Sequence, residues 1–332
     1  MSNPIELYLP LLTSADPAVR DQATLILLST YGERGLTYLR RLLDAPDLHD
    51  QARAALLAIA ASSGLHVELR PFRGIYVRCL GELQVFVDAH EVVASDWAQI
   101  EGGRAGGRKV QGVFAYLVHC GRRGASRNEI CEAVWGHAVS AVSLSRTLGA
   151  LRQMLTQLGS PELARSVLIS ERERCTLSPT AYFSDADHFE RTFDLACQSE
   201  NRDGLAATLP LYHQVLALYE GPYMEAIPRA SDWGQERRAM IDNSYLIAAE
   251  RLASHAWENS HDRQCIFICS KALMISPAVA DLVALLLRAY ARQGFAVDLE
   301  QAYRRYLAAT GIDPLREPDD EAVSAYHELC AS

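Results

Sequence analysis

The sequence predicts a mainly α, multidomain chain, and three observations predict it. Apolar residues recur at helical spacing through both ends of the 332 residues. A two-residue alternation interrupts that period only around Val77–Val87 and Val167–Leu177. The charge is also unevenly spread, which marks off a central part. Residues 70–183 hold 14 Lys+Arg against 10 Asp+Glu (+4), while the remainder holds 18 against 31 (−13), within a net charge of −9. A basic centre between acidic flanks fits a polyanion-binding module joined to protein-binding ones.

Residues 1–65 form the first expected domain. Val19-Arg20-Asp21-Gln22-Ala23 overlays Leu48-His49-Asp50-Gln51-Ala52 at a period of 29 residues. Each copy follows an Asp/Pro turn, Asp16-Pro17 or Pro46-Asp47, where Pro suits a first helical turn and Asp can cap it. The pattern fits either a pair of HEAT-like repeats or an ordinary helical cap. Ser62–Pro71 reads as a linker.

Residues 72–180 form the second domain. Val77, Cys79, Leu83, Val85 and Val87 alternate with Arg78, Gln84 and Phe86, giving short strands turned at Gly81, with another around Glu91–Ala94. Gly102–Lys109 lacks the GxxxxGK[ST] of a phosphate loop and reads as a loop before a helix. Three helices follow: Arg108–Gly121, Ser126–Gly136 with Ser126 and Glu129 as a capping box, and Val142–Gly159. Val167–Leu177 then reads as a hairpin with its tip at Ser170–Cys175. A small sheet, three helices and a hairpin is the order of a winged helix-turn-helix.

In the third helix Leu144, Leu148, Leu151, Leu155 and Leu158 make one apolar stripe. The opposite face carries Val142, Arg146, Gly149, Ala150 and Gln153, edged by Ser143, Ser145 and Arg152, with no acid between Val142 and Gly159. Such a face suits DNA, with Arg146 and Gln153 donating to base edges or phosphates. Arg108, Lys109, Ser126, Arg127, Arg172 and Arg174 complete the expected contact set, Ser126 and Arg127 at a helix start where free N–H groups favour phosphate.

Residues 184–332 form the third domain. Helical runs are expected at 185–199, 204–219, 235–258, 263–275, 278–293, 298–309 and 320–329. Pro277 and Pro314 stand 37 residues apart, with Ala289-Tyr290, Gly294 and Ala302-Tyr303 between, a spacing like that of tetratricopeptide repeats forming an α-solenoid.

The whole resembles the SARP-type (antibiotic-regulatory-protein) family of bacterial activators. The residues that carry the resemblance are Val77-Arg78-Cys79-Leu80-Gly81, Arg108-Lys109, Glu129-Ile130, Ala133-Val134-Trp135-Gly136 and Leu151-Arg152. Beyond the wing they are Asp187-His188-Phe189-Glu190, then Leu218-Tyr219-Glu220-Gly221-Pro222-Tyr223-Met224 with Trp233. The resemblance implies a winged helix followed by a bacterial transcriptional activator repeat domain, and hence an activator. Gly149-Ala150 stands where many relatives have Ser-Arg. On that resemblance the N-terminal repeats would be an addition, and the ATPase module of larger relatives is not expected.

The expected partner is double-stranded promoter DNA, read by helix 142–158 and the wing at 170–175. RNA polymerase or another protein would meet the repeats. A homodimer and an unspecified small-molecule effector stay open, as does a scaffold whose winged helix only packs. Cys265 and Cys269 with His261, and His119-Cys120 with Cys131 and His137, read as core and helix-end residues, not metal ligands. No enzyme and no cofactor are expected, because no local motif places a nucleophile with its base. No apolar run reaches the ~18 residues of a membrane span. The eight cysteines then read as reduced thiols of a cytoplasmic chain with no membrane partner.

Overall fold

The computed structural model describes residues 74–87, 90–98, 106–136, 141–171, 174–178 and 182–331. The expected HEAT-like repeats, Arg172 and His137 lie outside them. The described chain is mainly helical, with two small sheets near its start. It divides into two compact units: one takes the chain up to Arg191 together with Ala217–Ile241, the other Thr192–Leu216 and Asp242–Ser332.

In the first unit, β1 (Ile75–Arg78), β2 (Gln84–Val87), β3 (His90–Glu91) and β7 (Tyr182–Ser184) make a four-stranded sheet of order β3-β2-β1-β7. Central β1 pairs antiparallel with β2 and parallel with β7. Ile75 and Val77 are fully buried on one face. On the other, Tyr76 stacks on Phe86 and Phe183, its direct register partners, at centroid distances of 5.9 and 5.8 Å. Such cross-strand aromatic pairs are the unit of sheet stability. The strand expected at Glu91–Ala94 is only half correct. It ends at Glu91, and Ala94 opens the helix α1 (Ala94–Ala98), where Asp96 accepts from the Val93 N–H at 2.9 Å.

Helix α2 (Gly107–Cys120) is buried along most of its circumference, with Val110, Val113, Phe114, Ala115 and Leu117 fully inside. A 3₁₀ turn (Gly121–Arg123) leads through β4 (Ala125–Ser126) into α3 (Arg127–Trp135). The α3 capping box is present: Ser126 Oγ accepts from the Glu129 N–H, and Glu129 accepts from the Ser126 N–H. Helix α4 (Ala141–Leu158) packs on α2, α1 and α5 (Pro161–Val167). Leu144, Leu148, Leu151 and Leu155 are buried as expected and Leu158 is half-buried. Ala150 departs from the expectation: it is buried, not on the open face.

Val167, expected at the start of the hairpin, instead closes α5. The hairpin is β5 (Leu168–Glu171) and β6 (Arg174–Leu177), with Ser170 facing Cys175 and Glu171 facing Arg174. β4 adds to β6, so the second sheet runs β4-β6-β5. Gly124, at φ +61°, lets β4 approach. A Cβ there would lie 2.7 Å from the Cys175 carbonyl and closer still to the Thr176 side chain.

Helix α6 (Asp185–Asp203) follows β7 directly, and Asp185, 4% exposed, ties it to the sheet. Its carboxylate accepts from the N–H groups of Cys79, Leu80 and Ala186 and from the Cys79 thiol. Helix α7 (Leu205–Leu218) leads to Tyr219–Met224, which lies along the end of β1. There the Gly81 N–H donates to Pro222 and the Met224 N–H to Cys79. The two segments cross at Gly81 and Gly221, where a Cβ on Gly221 would lie 3.1 Å from the Gly81 Cα. This close crossing, with the Arg78–Glu220 ion pair, accounts for the Glu-Gly-Pro-Tyr turn.

After α8 (Ala230–Trp233), α9 (Gln235–Glu258) matches its expected span. In the second unit α10 (Asp262–Ile275), α11 (Ala280–Gln293), α12 (Ala296–Thr310) and α13 (Glu321–Ala331) stack, α11 packing on the other three. Val283, Leu287, Tyr303, Tyr306, Ala322 and Val323 form a core there. Arg292 lies 3.3 Å from the Trp257 ring centroid and donates to buried Asp262. Cys265 and Cys269 are fully buried. No group of metal-ligating side chains occurs among the described residues, and none of their helices is long and apolar enough to cross a membrane.

Candidate nucleic-acid interface

Helix α4 turns one face to solvent: Val142, Ser145, Arg146 and Gly149 are exposed, and Ser143, Arg152 and Gln153 are half-buried. A Cβ on Gly149 would meet nothing within 4 Å, so the centre of this face is flat and open. Two short hydrogen bonds attach its flanks. Arg127, at the start of α3, donates to Ser145 Oγ at 2.6 Å, and Arg152 donates to Ser170 Oγ on β5 at 2.6 Å. Ser126 is the register partner of Arg174 on β6. The start of α3, the open face of α4 and the wing strands thereby form one continuous surface.

Eight of the expected contact residues fall on it: Ser126, Arg127, Ser143, Ser145, Arg146, Arg152, Gln153 and Arg174. Arg108 is exposed near the start of α2. Lys109 is engaged elsewhere: its ammonium donates to the Val134 carbonyl at 2.8 Å and lies 5.3 Å from the Trp135 ring centroid. It thus tethers the far end of α3, about 12 Å along the helix from Arg127. Two cations passed over in the sequence are Arg122 and Arg123, both exposed on the 3₁₀ turn beside Arg174. Their signal was only an adjacent arginine pair between two predicted helices.

Behind α2, on the side of Tyr116 and His119, lies an aromatic seam. His119 sits among Tyr116, Tyr223 and Trp233, with centroids at 6.2, 6.1 and 4.8 Å. Arg237 donates to the Tyr223 hydroxyl at 3.2 Å and pairs with Glu190 and Asp187 at 2.7 and 2.6 Å. Burial, followed by the charges of Arg237 and Arg123, lowers the His119 pKa to about 4. The fold therefore keeps this imidazole neutral while the unfolded chain protonates it below about 6.5. Stability is full above pH 6.5 and falls as pH drops toward 4, because the unfolded state binds the extra proton. Urea unfolding of the full chain should lose about 1 kcal/mol at this residue between pH 7 and pH 5, allowing for its partial exposure. His119→Gln should remove that part of the pH dependence; an unchanged pH profile would show that the seam does not hold a neutral histidine.

Residues 184–329 match the bacterial transcriptional activator domain family. No curated protein matches the chain. Among solved structures it is similar to Mycobacterium tuberculosis EmbR, determined in complex with a low-affinity phosphopeptide. The likeness has a TM-score of 0.56 and 19% identity, over 77% of this chain and 69% of that one. At that identity the likeness is one of fold. Residues 184–329 are thus similar to bacterial transcriptional activator domains, and the small sheet, three helices, wing and following helices share the fold of that solved structure.

Proposed function

We propose that the chain is a cytoplasmic activator that binds double-stranded promoter DNA through α4 and the wing. The observation that carries this reading is the open, acid-free face of α4, joined by hydrogen bonds to cations on both sides. Helix α4 enters the major groove, Arg146 and Gln153 meet base edges, and the α3 start and wing hold phosphates. The helices of the second unit engage RNA polymerase, another protein or a second copy. In a gel-shift titration against its own upstream fragments, Arg146→Ala should weaken specific binding roughly 10- to 100-fold, the range for one base contact. Wild-type affinity should fall steeply with salt. Failure to bind any upstream fragment at low salt would remove the proposal.

A scaffold reading, in which the winged helix only packs, draws on the internal acceptors that Arg127, Arg152 and Arg174 already hold. Those acceptors are hydroxyls and carbonyls at exposed positions. Exchange for phosphate is favourable, since an arginine–phosphate pair joins two opposite charges and can be bidentate, whereas the hydroxyls and carbonyls are neutral acceptors. The contacts park the arginines near DNA without barring it.

A further inference from the structure

The turn Gly121–Arg123 has no part in the proposed function as stated, yet it carries two exposed arginines. We propose that it is a separate phosphate-holding ridge, continuous with the wing; this rests on the DNA reading above. Three features carry it. Arg174 of the wing donates to the carbonyls of both Arg123 and Gly124, at 3.0 and 3.2 Å, and the β4–β6 backbone pairing just beyond holds turn and wing strand together even when Arg174 turns to phosphate. The left-handed Gly124 closes that junction too tightly for any side chain, which fixes the path of the turn. Among the described residues, neither arginine is held in an ion pair. Arg122 has no hydrogen bond or ion pair among the described residues, and Arg123 has only the weak acceptor Cys120 Sγ at 3.7 Å.

Glu129, a carboxylate near the turn, already serves the Ser126 N–H at 2.6 Å. That bond leads the causes that hold its carboxyl below the usual range, ahead of the fields of Arg174 and Arg123. Four linkages of chain separate Arg123 from Arg127, at most about 14 Å. Arg122, Arg123, Arg127 and Arg174 therefore line one edge, beside α4 and not on it. Such cations fix register and affinity without reading sequence.

The test is the salt dependence of binding by the full chain, measured on a 30-base-pair random-sequence duplex and on a duplex selected from a random pool. The double variant Arg122→Ala/Arg123→Ala should flatten the plot of log affinity against log salt by about 2, near 0.9 for each lost phosphate contact. Between 50 and 200 mM salt its affinity then falls roughly tenfold less than the wild type's. The affinity ratio between selected and random duplex should stay unchanged. Arg122→Lys/Arg123→Lys should restore the wild-type slope, and Arg316→Ala, which removes a cation paired with Asp313 in the second unit, should not alter it. A steep wild-type slope left intact in the double alanine variant overturns the ridge alone, and so does a lysine variant that behaves like the alanine one. No binding by the wild type at low salt overturns the DNA reading, and the ridge with it.

Discussion

Asp185→Ala should lower the unfolding free energy of the first unit by about 4 kcal/mol. The substitution leaves three buried N–H donors, on Cys79, Leu80 and Ala186, facing a carboxylate-sized gap. A buried donor without an acceptor costs about 1–3 kcal/mol, and three of them do not add fully because water enters the gap. The loss is still near half of a typical domain's 5–15 kcal/mol. Two opposed effects act on the carboxylate: burial pushes its pKa up, and the same donors pull it back down. Asp185→Asn keeps one acceptor oxygen but turns an amide donor toward the others, so its cost should be about half that of alanine. Guanidinium unfolding followed by tryptophan fluorescence reads both, with Trp97 and Trp233 as reporters in the first unit. A cost below about 1 kcal/mol for alanine would mean that these N–H groups find other partners.

Asp185 was not foreseen because its role is set by residues more than a hundred positions away. The helices are local, and there the sequence was sufficient. The leucine stripe of α4, the Ser126/Glu129 capping box and the span Gln235–Glu258 all follow from spacing within a few turns. The open face of α4 was legible for the same reason. Ala150 was misplaced because a helical wheel assumes one buried side, whereas α4 packs on α1, α2 and α5.

Non-local pairing escaped. β7 has three residues, too few for an alternation to register, and its parallel partner β1 lies far upstream. The short α5 hid between a leucine-rich helix and a strand pattern. Lys109, grouped with the phosphate cations from sequence alone, tethers the end of α3 through a carbonyl 25 residues on. Arg122 and Arg123 could be counted but not placed, since only the β4–β6 pairing brings their turn to the wing.

A chain cut after Phe183 should fail to fold cooperatively, although it holds every strand of the wing and all three helices of the winged-helix core. The first unit also draws on Ala217–Ile241. From there Tyr223 and Met224 are fully buried, and Ile227 is nearly so. Trp233 meets Tyr116 edge-on at 5.3 Å. Removing three or four such side chains forfeits about 1.5–3 kcal/mol each, which together is comparable to the ~5–15 kcal/mol stability of an ordinary domain. The cut also strands the Cys79 carbonyl and the Gly81 N–H, and it removes Asp185 and the Arg237 ion pairs. The shortened chain should bind a hydrophobic dye and show no sharp thermal transition, while a chain ending after Ile241 should keep one. A fragment ending at Phe183 that unfolded as sharply as the longer one would show that the seam is dispensable. If the seam is required, part of the activator domain belongs to the fold that holds α4 in place. Substitutions at the Gly221-Pro222 turn should then weaken the proposed DNA binding without touching DNA, in proportion to the folded fraction that they remove.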